Sequence, residues 1–392
     1  MSTVQRTRLS PEDIVLRVSG GGDVLAVEDL TVAFGRGDRV RTAVRGVSLT
    51  LRAGRTTVLL GESGSGKSVT ARALMRLHGA SATVGGSVRF GETELLDLPE
   101  RLMQGLRGPA IGLVPQDPSG ALDPLRRVGA QIAEVLVRHG AQPDAKRARV
   151  AALELLERVG IPDPARVVRA RPYELSGGMR QRIAIALAIA CRPKVLIADE
   201  PTTALDVTVQ AQVLELFQEL CAELRVALLL VTHDVGVARA VGDEVAVMYA
   251  GRLVEQGPAA QVLDAPAHPY TAGLLDAVPT PDAERGSLRA IPGRPPSPDE
   301  TGLDDRCALA PRCRFAVDAC RDHRPPLRAV GPDRVAACDV VDGRVPPAPG
   351  AAPSTATAVV PGAGPASSSP GSAAPSVPVP PAAPTTREEP VR

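Results

Sequence analysis

Eight consecutive residues constrain this chain more than any others: Gly61-Glu62-Ser63-Gly64-Ser65-Gly66-Lys67-Ser68. They meet the phosphate-binding loop pattern GxxxxGK[ST] without mismatch. The flanks agree: Thr57 to Leu60 reads as a short buried strand, and a helical pattern opens near Lys67. A Gly-rich turn that merely looked like the loop would lack that strand and helix. The arrangement demands an α/β fold, because the loop must curl at the end of one strand and pass directly into a helix. Backbone N–H groups then face a β-phosphate at the positive end of the helix. Lys67 is placed to reach the β- and γ-phosphates, and the Ser68 hydroxyl to ligate Mg²⁺.

A second element gives the loop a reaction. Val195 to Ala198 is another apolar strand, and it ends in Asp199-Glu200. Asp199 there can stand beside Mg²⁺ through a water. Glu200, one residue on, can polarise the water that attacks a γ-phosphate. Alone, a strand ending in two carboxylates is usually a solvated strand end; it gains meaning from the loop.

From Val24 to about Gly257, short β-branched runs alternate with longer helical patterns, which predicts a largely parallel sheet flanked by helices. Ile111 to Val114 and Ala227 to Val231 are further buried strands. Ala151 to Val159 and Val209 to Leu224 are amphipathic helices. Gln131 to about Arg171 is helical with no strand signal, an all-α insertion into the α/β core. The chain therefore divides into a flexible N-terminus (1–22), an ATPase core (23–257) with a helical subdomain at about 126–190, a small Pro/Cys-rich region (258–342), and a tail (343–392). Val345 to Thr386 carries no charge and is almost wholly Pro, Ala, Ser, Gly, Thr and Val, so disorder is expected there. No internal repeat is visible. Aromatics are only 2% of residues, so the core must be built from Ala, Val, Leu and Ile. A net charge of +1 gives no general reason for a nucleic-acid partner. No apolar run approaches the roughly 20 residues that span a bilayer. Residues 1–13 show no apolar stretch after their charges, so no secretory signal is expected. A cytosolic setting with reduced thiols follows.

Leu175-Ser176-Gly177-Gly178-Met179-Arg180-Gln181-Arg182 lies between the loop and the Asp-Glu strand. It resembles the signature of ABC ATPases. The resemblance implies that Ser176 donates to a γ-phosphate oxygen while Gly177 and Gly178 allow close backbone approach. In that family these groups act on the nucleotide of the partner subunit, which implies a head-to-tail dimer around two ATPs. Other family positions fall in order. Gln116, in Leu113-Val114-Pro115-Gln116, matches the Q-loop glutamine that senses Mg²⁺. Ala204-Leu205-Asp206 resembles the D-loop, and His233, in Val231-Thr232-His233-Asp234, matches the switch histidine. Singly, each is an ordinary loop residue, and a lone His after a strand usually is. Phe34 stands where the family stacks an aromatic on adenine; a core Phe is an equal reading. The implied ATP set is Phe34, Gly61, Ser63, Gly64, Ser65, Gly66, Lys67, Ser68, Val69, Gln116 and Asp199. Ser68, Gln116 and Asp199 are the implied Mg²⁺ set, and Glu200, His233 and Gln116 the catalytic one. With both Glu200 and His233 present, active hydrolysis is expected.

Beyond the core the resemblance narrows. His268-Pro269-Tyr270-Thr271, Gly273-Leu274-Leu275, Ile291-Pro292-Gly293-Arg294-Pro295-Pro296 and Ala310-Pro311-Arg312-Cys313 resemble the ATPases of oligopeptide, dipeptide and nickel importers. Two positions depart from that pattern: Asp123 stands where relatives carry Asn, and Leu309 where an aromatic is commoner. Cys307, Cys313, Cys320 and Cys338 are separated by 5, 6 and 17 residues. Cys191 and Cys221 lie in core helices as small buried hydrophobes. Four thiols in one segment of a cytosolic protein suggest a metal more than disulfides. Zinc sites usually contain a tighter pair, so an iron–sulfur cluster fits better, and the resemblance implies [4Fe–4S]. Zinc, or a thiol-rich loop with no ligand, stays open.

The resemblance further implies a bacterial subunit on the cytoplasmic face of the membrane. It would be bound to two integral-membrane permeases, paired with a second, related ATPase, and served by an extracytoplasmic solute-binding protein. Di- or oligopeptides are the expected cargo, with nickel, glutathione or another small solute as alternatives. A soluble ABC ATPase acting on ribosomes or DNA is the reading from another class. One phosphate loop, no heptad run and no basic patch argue against it, and the HPYT and cysteine segments argue against an exporter.

Overall fold

The structure is a computed structural model that describes residues 10–18, 22–37, 40–203, 205–279, 289–298, 300, 302–340 and 345. In chain order its elements begin α1 (Pro11–Arg17), β1 (Asp23–Phe34), β2 (Arg41–Arg52), β3 (Thr56–Leu60), α2 (Lys67–Leu74), β4 (Ala82–Phe90), β5 (Thr93–Glu94), α3 (Glu100–Leu106) and β6 (Ile111–Val114). Then come α4 (Pro118–Ala121), α5 (Val128–Arg138), α6 (Ala145–Arg158), α7 (Pro164–Val167), α8 (Gly177–Ile189), β7 (Val195–Asp199), α9 (Val207–Leu224) and β8 (Ala227–Thr232). The last group is α10 (Val235–Val241), β9 (Glu244–Tyr249), β10 (Arg252–Pro258), α11 (Ala259–Asp264), α12 (Pro269–Asp276), α13 (Ala319–Asp322), β11 (Arg328–Gly331) and β12 (Arg334–Ala336).

Two sheets form, where a single, largely parallel one was expected. The larger has the order β11-β12-β10-β9-β3-β8-β7-β6. Its centre, β9-β3-β8-β7-β6, is parallel throughout. All residues of β3, β7 and β8 are buried, as parallel strands covered on both faces must be. Side-chain alternation sorts them between two cores. Val58, Leu60, Leu196, Ala198, Leu228 and Leu230 face the core shared with the helical segment. Leu59, Val195, Ile197, Leu229 and Val231 face the other core. That second core is closed by the smaller, antiparallel sheet, order β2-β1-β4-β5. β1 and β2 are long strands of mixed burial paired antiparallel, so their sequences lack the continuous apolar run that marked the parallel strands.

Between β6 and β7 the regular elements among the described residues are all helices. α5 buries Val128, Ile132 and Leu136, and α6 buries Ala148, Ala152 and Leu156, each at four-residue spacing. Asp144 caps α6 by accepting from Arg147 N–H at 2.9 Å.

Two segments depart from expectation. Within the N-terminus read as flexible, Ser10 and Asp13 form a reciprocal capping box on α1, and Ile14 is buried. Pro11 sits so close to α3 that a Cβ on Gly105 would lie 2.5 Å from its ring. The Pro/Cys-rich region is also no appendage. β12 pairs with β10 and β11 with β12, which extends the main sheet. Glu255, on β10, is fully buried and paired with Arg334 of β12. Its carboxylate also accepts from Ala267 N–H (2.9 Å) and His268 N–H (3.0 Å). His268 caps α12, its Nδ1 accepting from Tyr270 N–H at 3.1 Å, and burial pushes its pKa down to about 4. The segment expected to be a disordered tail lies outside the described residues except Val345, whose N–H donates to Pro266 O at 2.8 Å. Among the described residues no helix is long and apolar enough to cross a membrane.

Candidate active site

β3 delivers the chain into the phosphate loop, and two glycines there are indispensable. A Cβ on Gly61 would lie 2.2 Å from Met248 O, and one on Gly66 2.6 Å from Ala43 O. Gly66 also adopts φ 105°, in the left-handed region. Gly66 caps α2 with no side chain, so the first N–H groups of the helix are left to a ligand. Lys67 Nζ donates to Gly61 O (2.8 Å) and Glu62 O (2.9 Å). Burial lowers its pKa, while Glu200, Asp199 and Glu62 oppose the shift. Ser65 Oγ is buried and has no hydrogen-bond partner among the described residues. An orphaned hydroxyl inside the loop is what a phosphate oxygen would satisfy.

At the end of β7, Ser68 Oγ donates to Asp199 Oδ1 at 2.7 Å. Burial raises the pKa of Asp199 against the opposing Ser68 hydrogen bond and Arg72. This hydroxyl and carboxylate are hard oxygen donors, the set that suits Mg²⁺. Glu200 then turns through φ 45°, a costly conformation for a non-glycine residue, and its N–H is pinned to Val231 O at 2.9 Å. The turn aims its carboxylate into a cluster. Oε2 accepts from Gln116 Nε2 (3.0 Å) and Thr203 Oγ1 (3.2 Å), while Oε1 lies 3.3 Å from His233 Nδ1. A carboxylate has about four acceptor sites, so one remains for a water.

Six predicted residues therefore gather in one place: Lys67, Ser68, Asp199, Glu200, Gln116 and His233. The signature residues do not join them. Ser176 caps α8, accepting from Met179 N–H at 3.3 Å, and both it and Gly177 are exposed. Among the described residues no hydrogen bond ties them to the phosphate loop. Arg180, one turn into α8, donates to Ser119 Oγ at 3.1 Å and so links the signature helix to α4, just after Gln116. Asp206 caps α9 through Val209 N–H (2.9 Å); Ala204 lies outside the described residues. Phe34 ends β1, half-buried against the second core, as is Val69 on α2.

Four contributors escaped the sequence reading. Thr203 had no motif to mark it. Glu62 occupies an unrestricted position of the loop pattern, yet the C-terminal region converges on it. Its N–H donates to Tyr270 Oη at 2.8 Å, and its carboxylate takes both guanidinium nitrogens of Arg312 at 2.9 and 3.1 Å. Tyr270 and Arg312 belong to the HPYT and APRC segments, whose chemical purpose the sequence did not reveal.

Cys307, Cys313, Cys320 and Cys338 are all half-buried and free. Burial pushes the Cys307 thiol up to about 11, with Cys320 and Cys313 adding to the rise. Burial raises Cys313 too, with Cys338 and Cys320 adding. Cys313 thus lies near both Cys320 and Cys338, and Cys307 near Cys320 and Cys313. Among the described residues, however, no three His, Cys, Asp or Glu side chains converge as they would around a metal ion. The expected cluster gains no metal-binding geometry here.

Comparison with known proteins settles the family. The ABC transporter model matches residues 44–203, and the model of the oligopeptide/dipeptide transporter C-terminal region matches residues 254–320. The oligopeptide transport ATP-binding protein OppD of Salmonella typhimurium is 47% identical over 315 residues, covering 80% of this chain and 93% of that protein. This chain belongs to the ATP-binding subunits of oligopeptide/dipeptide ABC importers. OppD of Escherichia coli is 46% identical over 315 residues, covering 80% of this chain and 92% of its own length. Among solved structures, the ATP-binding cassette MJ0796, a dimer in a post-hydrolysis state bound to ADP and Pi, is 28% identical. It aligns with a TM-score of 0.54 over 60% of this chain and 98% of that one. As an ABC importer ATPase the chain hydrolyses ATP, with the Mg²⁺ that such ATPases require.

Proposed function

We propose that this ATPase energises uptake of di- or oligopeptides, docked on the cytoplasmic face of the membrane against two permease subunits. The observation that carries the proposal is the joining of a complete ATPase site to a C-terminal region of the oligopeptide/dipeptide transporter type, which matches residues 254–320. Relatives named for oligopeptide transport support the cargo class. The dimeric cassette MJ0796 supports a dimer; arranged head-to-tail, the exposed Ser176 and Gly177, with the half-buried Gly178, meet ATP held by a second, related ATPase. An extracytoplasmic binding protein would select the solute; nickel, glutathione or another small solute remain the alternatives.

The roles proposed for the residues follow from their geometry. Loop amides from Ser63 to Val69 and Lys67 hold the phosphates, and Ser65 Oγ gains its missing partner. Phe34 provides a face for adenine. Mg²⁺, held by Ser68 and Asp199 with Gln116 near, supplies charge neutralisation at the phosphates. Glu200 takes a proton from the attacking water through its one free acceptor site, held in aim by Gln116, Thr203 and its left-handed backbone. His233 is placed to contact the γ-phosphate. Gln116, bonded to Glu200 and preceding α4, passes motion between the site and the permeases.

The test is to tag the chain in its host, extract membranes gently and identify what co-purifies. Two multi-span permeases, a second ATPase and a binding protein are expected; ribosomal proteins or nucleic-acid enzymes with no permease would overturn the transport reading.

We also propose that Cys307, Cys313, Cys320 and Cys338 hold a [4Fe–4S] cluster. The support is a donor set of four half-buried, free thiols alone, spaced along the chain without the tight pair that zinc sites favour. Anaerobically purified protein is expected to carry about four irons and four acid-labile sulfides per chain. Iron-free, sulfide-free protein would refute the cluster.

A further inference from the structure

We infer that Arg312 and Tyr270 are positioning residues for the phosphate loop, a latch through which the C-terminal region sets nucleotide affinity. The latch closes on one residue, Glu62, and every polar group of that residue is engaged. Its N–H donates to Tyr270 Oη at 2.8 Å. Its carbonyl accepts from Lys67 Nζ at 2.9 Å and from Ser65 N–H at 3.2 Å. Its carboxylate holds Arg312 through a two-pronged ion pair at 2.9 and 3.1 Å. One residue therefore separates a guanidinium of the C-terminal region from the lysine that meets the phosphates.

Arg312 is built to stay where it is. It is 7% exposed, and the structure satisfies its guanidinium on every side. Nε donates to Pro292 O (2.8 Å), Nη1 also to Tyr249 Oη (3.2 Å), and Nη2 also to Ile291 O (3.4 Å). A planar fork with all its directions fixed is a rigid reference point for the carboxylate it grips. Tyr270 is fully buried, its ring 4.5 Å from that of Tyr249, so its hydroxyl is equally fixed. Just past Glu62 the loop opens to solvent, with Ser63 and Gly64 exposed, so the side chain of Glu62 is where the C-terminal region takes hold of it. Holding Glu62 at both its amide and its carboxylate orders the turn before nucleotide arrives, which lowers the ordering cost of binding.

A latch that orders the loop serves bound nucleotide and transition state alike, so its loss acts on KM more than on kcat. In full-length protein, Arg312→Gln is expected to weaken binding of a fluorescent MgADP analogue about tenfold. Tyr270→Phe, which removes one oxygen and keeps the ring packing, is expected to weaken it about threefold. In the assembled transporter both should raise the KM for ATP with kcat within about twofold. Glu62→Gln combined with Arg312→Gln should be no worse than Arg312→Gln alone, because both cut the same tie. Arg312→Lys, which keeps the charge without the fork, should recover part of the affinity. Parent-like MgADP affinity in Tyr270→Phe and in folded Arg312→Gln, with only the melting temperature lowered, would reduce the contact to packing and overturn the latch.

Discussion

Glu200→Gln is expected to lower steady-state ATP turnover by at least about a hundredfold while leaving ATP binding within a few-fold of the parent. The substitution keeps size and shape, and a Gln carbonyl can still accept from Gln116 or Thr203. What it removes is the carboxylate assigned to take a proton from water. Lys67, Ser68 and Asp199, which hold the nucleotide, do not depend on Glu200 for their positions: Ser68 bonds Asp199 directly, and Lys67 bonds loop carbonyls. Phosphate release and nucleotide affinity, measured on the same sample, separate the two effects. Turnover within twofold of the parent would sink the assigned role.

Arg334→Ala should produce the largest stability loss, about 3–5 kcal/mol, because it leaves the fully buried Glu255 carboxylate without its cation. The two remaining N–H donors, of Ala267 and His268, cannot neutralise a charge at that depth. The loss should appear first as faster hydrogen exchange across β10, β12 and the start of α12, ahead of the parallel strands. Replacing both partners with apolar residues of similar volume should restore much of the stability, since the pair's burial is itself costly. If Arg334→Ala melts within about 1 °C of the parent, the carboxylate is not held as the structure has it.

The parallel core and the site's main residues were legible because each motif is contiguous and its chemistry local. A Gly-rich turn between a strand and a helix, or a strand ending in Asp-Glu, states its purpose within eight residues. Glu62 could not be read this way. Its partner lies 250 positions away, and an unrestricted loop position carries no local signal. The left-handed turn at Glu200 was equally hidden, since Glu does not announce such a backbone; only the packing that pins its N–H to Val231 sustains it. The antiparallel sheet escaped because β1 and β2 mix exposed and buried positions irregularly across register shifts. α1 carries a local signal in Ser10 and Asp13, but its single fully buried residue, Ile14, leaves no apolar periodicity to mark a helix.

The strand β12 carries one more implication. It pairs in register with β10 at two positions, Glu255 with Ala336 and Gln256 with Val335, and covers that strand's open side. An ATPase cut back to the phosphate-loop core would end on a bare strand, largely buried here, with the Glu255 carboxylate left unpaired on it. Such an edge recruits other edges. The region beyond the phosphate-loop core therefore also borders the main sheet, and an engineer seeking a smaller version would have to rebuild that border before removing it.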